Sequence, residues 1–190
     1  MQELIFYFEL GFFHVLDWNA YDHFLFLLAL TLPFSIKEIN KVFWLVTLFT
    51  IGHTFSLILS SFEIYNPSEN IIELLIPITI MITALSNIIN NNKISSNKFF
   101  ELNFSLFFGL VHGFGFGNYF NQMTFPVDSK LNPLLGFAIG VEFSQLIIVL
   151  GVLFVNLVII KWSLKCFYKY RIISSSIITL ISISMIINIL

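Results

Sequence analysis

The sequence predicts an all-α fold: a polytopic membrane helix bundle forming one integral membrane domain over residues 1–190. Composition is the first reason. Of 190 residues 57% are hydrophobic and 11% charged, with 24 phenylalanines and a mean hydropathy of +0.91, where a soluble domain carries roughly one-quarter charged residues. Placement is the second, because the basic residues cluster between long apolar runs, as loops between spans do. At about 20 residues per span plus short connections, five to seven helices consume the whole length and leave no soluble domain.

The elements follow in chain order. Residues 2–15 are apolar but short for a span, so they are expected as a short N-terminal interfacial or re-entrant helix, with a full seventh span as the alternative. Asp17 and Asn19 are candidate N-caps for a fresh helix starting near Ala20. Hydropathy and breaks then place about six transmembrane spans, near 20–36, 42–62, 71–90, 99–120, 133–160 and 172–190. Asn66-Pro67-Ser68 and Asn90-Asn91-Asn92 read as turns between them. The first residues lack a basic n-region and a small-residue cleavage site, so the N-terminus is expected to stay on the mature protein.

Charge sets the expected orientation. Lys37 and Lys41, Lys93 and Lys98, then Lys161, Lys165, Lys169 and Arg171 fall in alternate connections, leaving Lys130 on the other side. By the positive-inside rule those connections are cytoplasmic and both termini face outward. A net charge of −2 without a basic run excludes a nucleic-acid footprint. The lone Cys166, in a basic connection, is a bystander rather than a ligand.

The polar residues within the apolar segments carry the chemistry. The four histidines His14, His23, His53 and His112, with Asp17, Asp22, Glu73 and Glu142, supply nearly all ionisable groups at or inside the spans. An Asp at a span centre costs about 2.5–3.5 kcal/mol to insert, so such groups persist when paired, hydrated or metal-bound. Under the expected topology they gather between the midplane and the outer face, as a shared site open to the outside requires.

Imidazole with carboxylate suits nickel, cobalt, zinc, iron or copper better than magnesium or calcium. The candidate ligands are His14, Asp22, His23, His53, His112 and Glu142. Gln145, one turn from Glu142, is expected to orient a ligand from behind; Asp17 fits an N-cap and Glu73 the water interface. His14 and His23 are nine residues apart and would face opposite ways on one straight helix, so the break at Asp17 to Asn19 must bring them together. Gly136 and Gly140, and Gly109, Gly113 and Gly117, admit close neighbours, while Gly115 is expected to loosen the helix around His112.

These residues also carry a resemblance over nearly the whole chain. His14-Val15-Leu16-Asp17, Tyr21-Asp22-His23-Phe24-Leu25-Phe26, Phe49-Thr50-Ile51-Gly52-His53-Thr54, Phe108-Gly109-Leu110-Val111-His112-Gly113-Phe114-Gly115-Phe116 and Gly140-Val141-Glu142 with Gln145 resemble the motifs of the HupE/UreJ family of bacterial membrane proteins. The resemblance implies an inner-membrane protein handling nickel or a related metal, as a permease or accessory protein. His14, Asp22 and His23 would match the family's His and Asp-His pair, with His53, His112 and Glu142 at further family-typical positions.

Three function classes stand open. In a permease, His14, Asp22 and His23 capture a divalent transition-metal ion at the outer mouth, and His53, His112 and Glu142 pass it to the midplane. Its inward path has to use Thr47, Thr50, Thr79, Thr83, Ser86 and Asn87, with no histidine or carboxylate among them. An intramembrane metalloenzyme would instead retain the ion and hydrolyse or acylate a lipid or lipidated substrate from the outer leaflet, with Asp22 or Glu142 as general base. A metal-free accessory subunit would use the same groups as a hydrogen-bonded polar core. Protein partners, beyond the bilayer itself, are unread.

Overall fold

The computed structural model describes residues 2–17, 21–89, 98–123 and 130–190. Among them the chain is helical throughout: α1 (Gln2–Leu16), α2 (Asp22–Thr31), a 3-10 turn (Ile36–Glu38), α3 (Ile39–Ser61), α4 (Glu69–Ile89), α5 (Lys98–Met123), α6 (Leu131–Trp162) and α7 (Leu164–Ile189). Four helical stretches are long and apolar enough to cross a membrane: Ile36–Ser61, Glu69–Ile89, Leu131–Trp162 and Leu164–Ile189. Large apolar side chains such as Trp44, Phe55, Ile139, Phe154 and Leu180 face outward, as lipid contact requires. The chain is a multi-pass membrane protein.

The first expected span is not one helix. At ten residues α2 is about 15 Å long, half a hydrocarbon core, and it ends ahead of Pro33, which has no N–H to donate to Ala29 O; Asn87 Nδ2 donates there instead (2.7 Å). It begins at Asp22 with Tyr21 at the cap position and no side-chain cap, so Asp17 does not cap it; Trp18, Asn19 and Ala20 lie outside the described residues, as does the Asn90-Asn91-Asn92 turn. Helices α3–α7 cover the remaining five expected segments and are longer by a few residues, but of these only α3, α4, α6 and α7 are long and apolar enough among the described residues to cross a membrane, so the expected count of about six spans is not reached on that measure.

Small residues decide which helices meet. α1 does not lie apart on a surface: it packs along α6, where methyl groups on Gly136 and Gly140 would strike the backbone of Leu4 and of Phe8, and one on Gly11 would strike Phe137. This register makes the two helices run in the same direction. Farther along α6, Asn156 Nδ2 reaches the carbonyl oxygens of Phe34 (2.8 Å) and Thr31 (3.3 Å) beyond the end of α2. α1 and α2 thus follow α6 in succession over about 30 Å, from Gly136 to Asn156 at about 1.5 Å per residue.

The largest helix contact is that of α3 with α5. Gly109 seats on Phe49, Gly113 on His53 and Ser56, and Gly117 on Ser60, each too close for a side chain. Ser105 Oγ donates to Leu45 O (2.6 Å) and Asn121 Nδ2 to Ser60 O (3.2 Å) at the two ends of this four-residue repeat. The glycines therefore close a seam rather than loosen a helix: α5 is unbroken through Gly115, which faces Ile76 of α4. At its far end α3 stops where Glu63 turns left-handed (φ 56°), and Lys130 Nζ donates to Ser61 O there, which accounts for the one lysine off the basic side.

Candidate metal centre

The break between α1 and α2 folds His14 back toward His23, so that their ring centroids are 4.7 Å apart. The α3–α5 seam adds His53, 5.8 Å from His23 and 6.0 Å from His14, and His112, 5.2 Å from His23. His14, His23 and His53 each offer a ligand atom such that the three lie within 4.8 Å of one another. Four residues far apart in sequence thus converge where α1, α2, α3 and α5 meet.

Hydrogen bonds on two rings define which nitrogen is bare. A carbonyl only accepts, so His112 Nδ1, 2.9 Å from Phe108 O, carries a proton and leaves Nε2 with its lone pair. The Asp22 carboxylate accepts from the His23 backbone N–H (2.8 Å) and sits 3.1 Å from His23 Nδ1, which sets the same tautomer. The Nε2 atoms of His14, His23, His53 and His112 are all buried without a hydrogen-bond partner among the described residues. A buried nitrogen left so costs about 1–3 kcal/mol, and His14, His23 and His53, with His112 5.2 Å from His23, form a donor set in need of an acceptor of lone pairs.

That set fits a transition-metal ion. With ligand bonds of about 2.0–2.1 Å, nitrogens around a tetrahedral ion are about 3.4 Å apart, so the three imidazoles have only about 1.4 Å to close from their 4.8 Å span. Side-chain rotation covers that. Nitrogen donors favour nickel, cobalt, zinc, iron or copper over magnesium and calcium. Phenylalanines wrap the cluster: Phe49 lies 5.3 Å from His112 and 6.1 Å from His53, Phe116 lies 3.9 Å from His14, and Phe137 stacks on His53 at 6.0 Å. Phe26, Phe49, Phe108 and Phe137 are essentially fully buried. Such a shell keeps water away from the donors.

One side is open. A cavity of about 710 Å³ reaches His14, Asp22, His23 and His112 past Leu10, Phe13, Ile76, Phe116 and Tyr119. It opens between α1 on one side and α4 and α5 on the other, with Asp17 at its wall and the exposed Phe13 and Tyr119 flanking it.

The other expected site residues lie elsewhere. Glu142 sits in the groove between α6 and α3, where Thr47 Oγ1 donates to its Oε1 (2.7 Å) and Thr50 Oγ1 approaches its Oε2. Thr50 Oγ1 is also 3.0 Å from Gln145 Oε1, so Gln145 is joined to Glu142 and not to a histidine. Thr50 is one turn from His53 on α3, which makes this oxygen-lined patch a neighbour of the histidines rather than a member of their cluster. Glu73 is exposed on α4. The expected inward path also changes: Thr79, Thr83 and Ser86 donate to carbonyls of their own helix and Asn87 to Ala29 O, so these groups do not present a continuous polar wall.

The enclosing phenylalanines and the Phe108 carbonyl escaped sequence reasoning. Phe-rich faces look the same toward lipid and toward a site, but the spacing Thr47, Thr50, His53, three residues at a time on one helix face, was a signal linking the Glu142 patch to the cluster.

A family model described as HupE / UreJ protein matches residues 1–189. No curated protein and no solved structure matches the chain.

Proposed function

The chain belongs to the HupE/UreJ family, and from that premise we propose that it is an inner-membrane permease for a divalent transition-metal ion of the nickel type. One observation carries the reading: His14, His23 and His53 bring ligand atoms within 4.8 Å of one another, with His112 beside His23, each with its Nε2 buried and unpartnered among the described residues, and a cavity reaches His14, His23 and His112. His14, His23 and His53 take the ion, His112 completes the nitrogen shell, and Asp22 holds His23 in the ligating tautomer. Glu142, with Thr47, Thr50 and Gln145, offers the next polar stop on α3 and α6.

In this reading six traverses cross the membrane, the first made of α1 and α2 with its break at the metal site. Broken helices at midplane binding sites are a recurring device of transporters. The lysine-rich ends of α3, α5 and α7 face the cytoplasm, both termini face outward, and the cavity leads from the outer half of the bilayer.

The test is metal analysis of detergent-purified protein before and after chelator dialysis, paired with uptake into proteoliposomes. Reversible nickel or cobalt binding, lost in His53→Ala and His112→Ala, with metal-dependent uptake supports the permease. One equivalent that survives dialysis, with no uptake, overturns it.

One observation favours a second reading. The cavity is lined largely by apolar side chains, with the exposed Phe13 and Tyr119 among them, which suits a lipid or lipidated substrate reaching a retained ion. A bound ion would supply Lewis acidity there, and Asp22, on the cavity wall and 3.1 Å from His23, would be the proton acceptor in an intramembrane hydrolase or acyl transferase. Glu142, in its separate patch, does not line that cavity. Retained metal with acyl-ester cleavage would select this class.

A further inference from the structure

A second cavity, of about 490 Å³, lies at the opposite end of the bundle from the histidines, among the end of α2, the 3-10 turn, and the adjoining ends of α3 to α7. Its walls are mostly apolar, from Leu30, Pro33, Phe34, Phe104 and Phe167, and its volume is in the range of about 300–1,000 Å³ that holds small ligands. Set into these walls are three cations, Lys37, Lys41 and Arg171, and two carboxylates, Glu38 and Glu101.

Both carboxylates have structural tasks. Glu101 pairs with Lys41, whose ammonium also lies 4.9 Å over the Phe34 ring. Glu38 accepts from the Ser35 backbone N–H (3.0 Å) and hydroxyl (3.2 Å), fixing the turn between α2 and α3. The cavity therefore keeps an excess of positive charge. Arg171 is the unusual member: it stands about two turns inside α7, only 6% exposed, with its guanidinium 5.5 Å over the Tyr168 ring. A cation buried to this extent at the basic end of α7 is costly unless other groups meet its charge, and an anion held in the cavity would add to that.

We propose that this cavity binds an anionic phospholipid of the adjoining leaflet, its phosphate between Lys37 and Arg171 and an acyl chain along Leu30, Phe34, Phe104 and Phe167. Charge complementarity selects the headgroup: guanidinium and ammonium donors suit a phosphate diester, and Arg offers it a bidentate fork. The apolar walls select an amphiphile over a soluble anion, because a hydrated phosphate gains nothing from phenylalanine and leucine. Location agrees, since a basic pocket between helices at the lysine-rich end faces the leaflet in which such pockets bind anionic lipids. The site needs no metal and is independent of the histidine cluster.

Native mass spectrometry of the full chain in mild detergent tests this, with phosphatidylglycerol or phosphatidylcholine of identical chains added. The expected result is phosphatidylglycerol bound at least tenfold more tightly. Lys37→Gln, which removes headgroup charge, and Ser86→Phe, which fills the cavity without changing a charge, each weaken it at least fivefold, while Lys130→Gln at the other end has no effect. Arg171→Gln should weaken it further, but because that variant could fail to insert, the first two carry the test, with wild-type thermal unfolding and a single gel-filtration peak in detergent as evidence that they are folded. Equal affinity for the two lipids, retention in Ser86→Phe, or displacement by millimolar inorganic phosphate would each overturn the proposal, the last pointing to a free-anion site.

Discussion

His53→Leu separates a metal centre from a polar core by the sign of its effect. In the wild type without metal, His53 Nε2 is buried and unpartnered in a residue 1% exposed among Phe49 and Phe137. Leaving such an atom unmet costs about 1–3 kcal/mol, so an apolar side chain of similar size should leave the metal-free protein no less stable, and up to about 2 kcal/mol more so. With metal the order reverses. At a free ion concentration about a thousandfold above Kd, binding adds about 4 kcal/mol to the wild type. For a chain of this length that is a rise in Tm of about 8–16 °C; the variant, left with incomplete ligation, should rise by less than half as much. Thermal unfolding in detergent with chelator and with nickel, cobalt or zinc, read by intrinsic fluorescence, measures all four states. Two results would rule out a metal centre at His53: a wild type whose Tm no metal moves, or a His53→Leu protein that loses more than about 3 kcal/mol in chelator, which would mean that His53 is a satisfied structural group.

Three further outcomes are expected. Gly113→Ala would drive a methyl into Ser56 Oγ and the His53 carbonyl, costing about 1–3 kcal/mol and at least tenfold in metal affinity by titration, whereas Gly151→Ala, with nothing near it, should stabilise the helix by up to about 1 kcal/mol; equal effects would show that the α3–α5 seam does not position the site. Asp22→Asn removes the carboxylate 3.1 Å from His23 Nδ1 and should weaken metal binding about 10–100-fold in calorimetry while leaving the fold intact; unchanged affinity would remove Asp22 from the centre. Glu142→Gln should leave equilibrium metal binding within about twofold, because Glu142 bonds Thr47 and Thr50 rather than a histidine, yet slow proteoliposome uptake at least tenfold, the loss typical of one essential polar contact; lost binding would put Glu142 in the ligand set.

Much of the molecule is written locally. Hydropathy alone determines an all-helical membrane chain, and α3 to α7 begin and end within several residues of where apolar runs and turns place them, because insertion into lipid is a per-segment property. The histidines that cluster were legible too: a histidine in an apolar run is costly, so His14, His23, His53 and His112 declare themselves without any partner in view. Association is settled in three dimensions alone. In lipid every apolar face is equally content, so partners are chosen by close approach at small residues, and a glycine pattern says that a neighbour comes near without saying which. Hence Gly136 and Gly140 receive α1, and Gly109, Gly113 and Gly117 receive α3. The same packing assigned Glu142 to Thr47 and Thr50, and left Asp22 behind His23 instead of beside the other carboxylate. Depth along a helix can be counted from its ends, but azimuth relative to other helices depends on how all of them pack, and it is azimuth that brings four scattered imidazoles together.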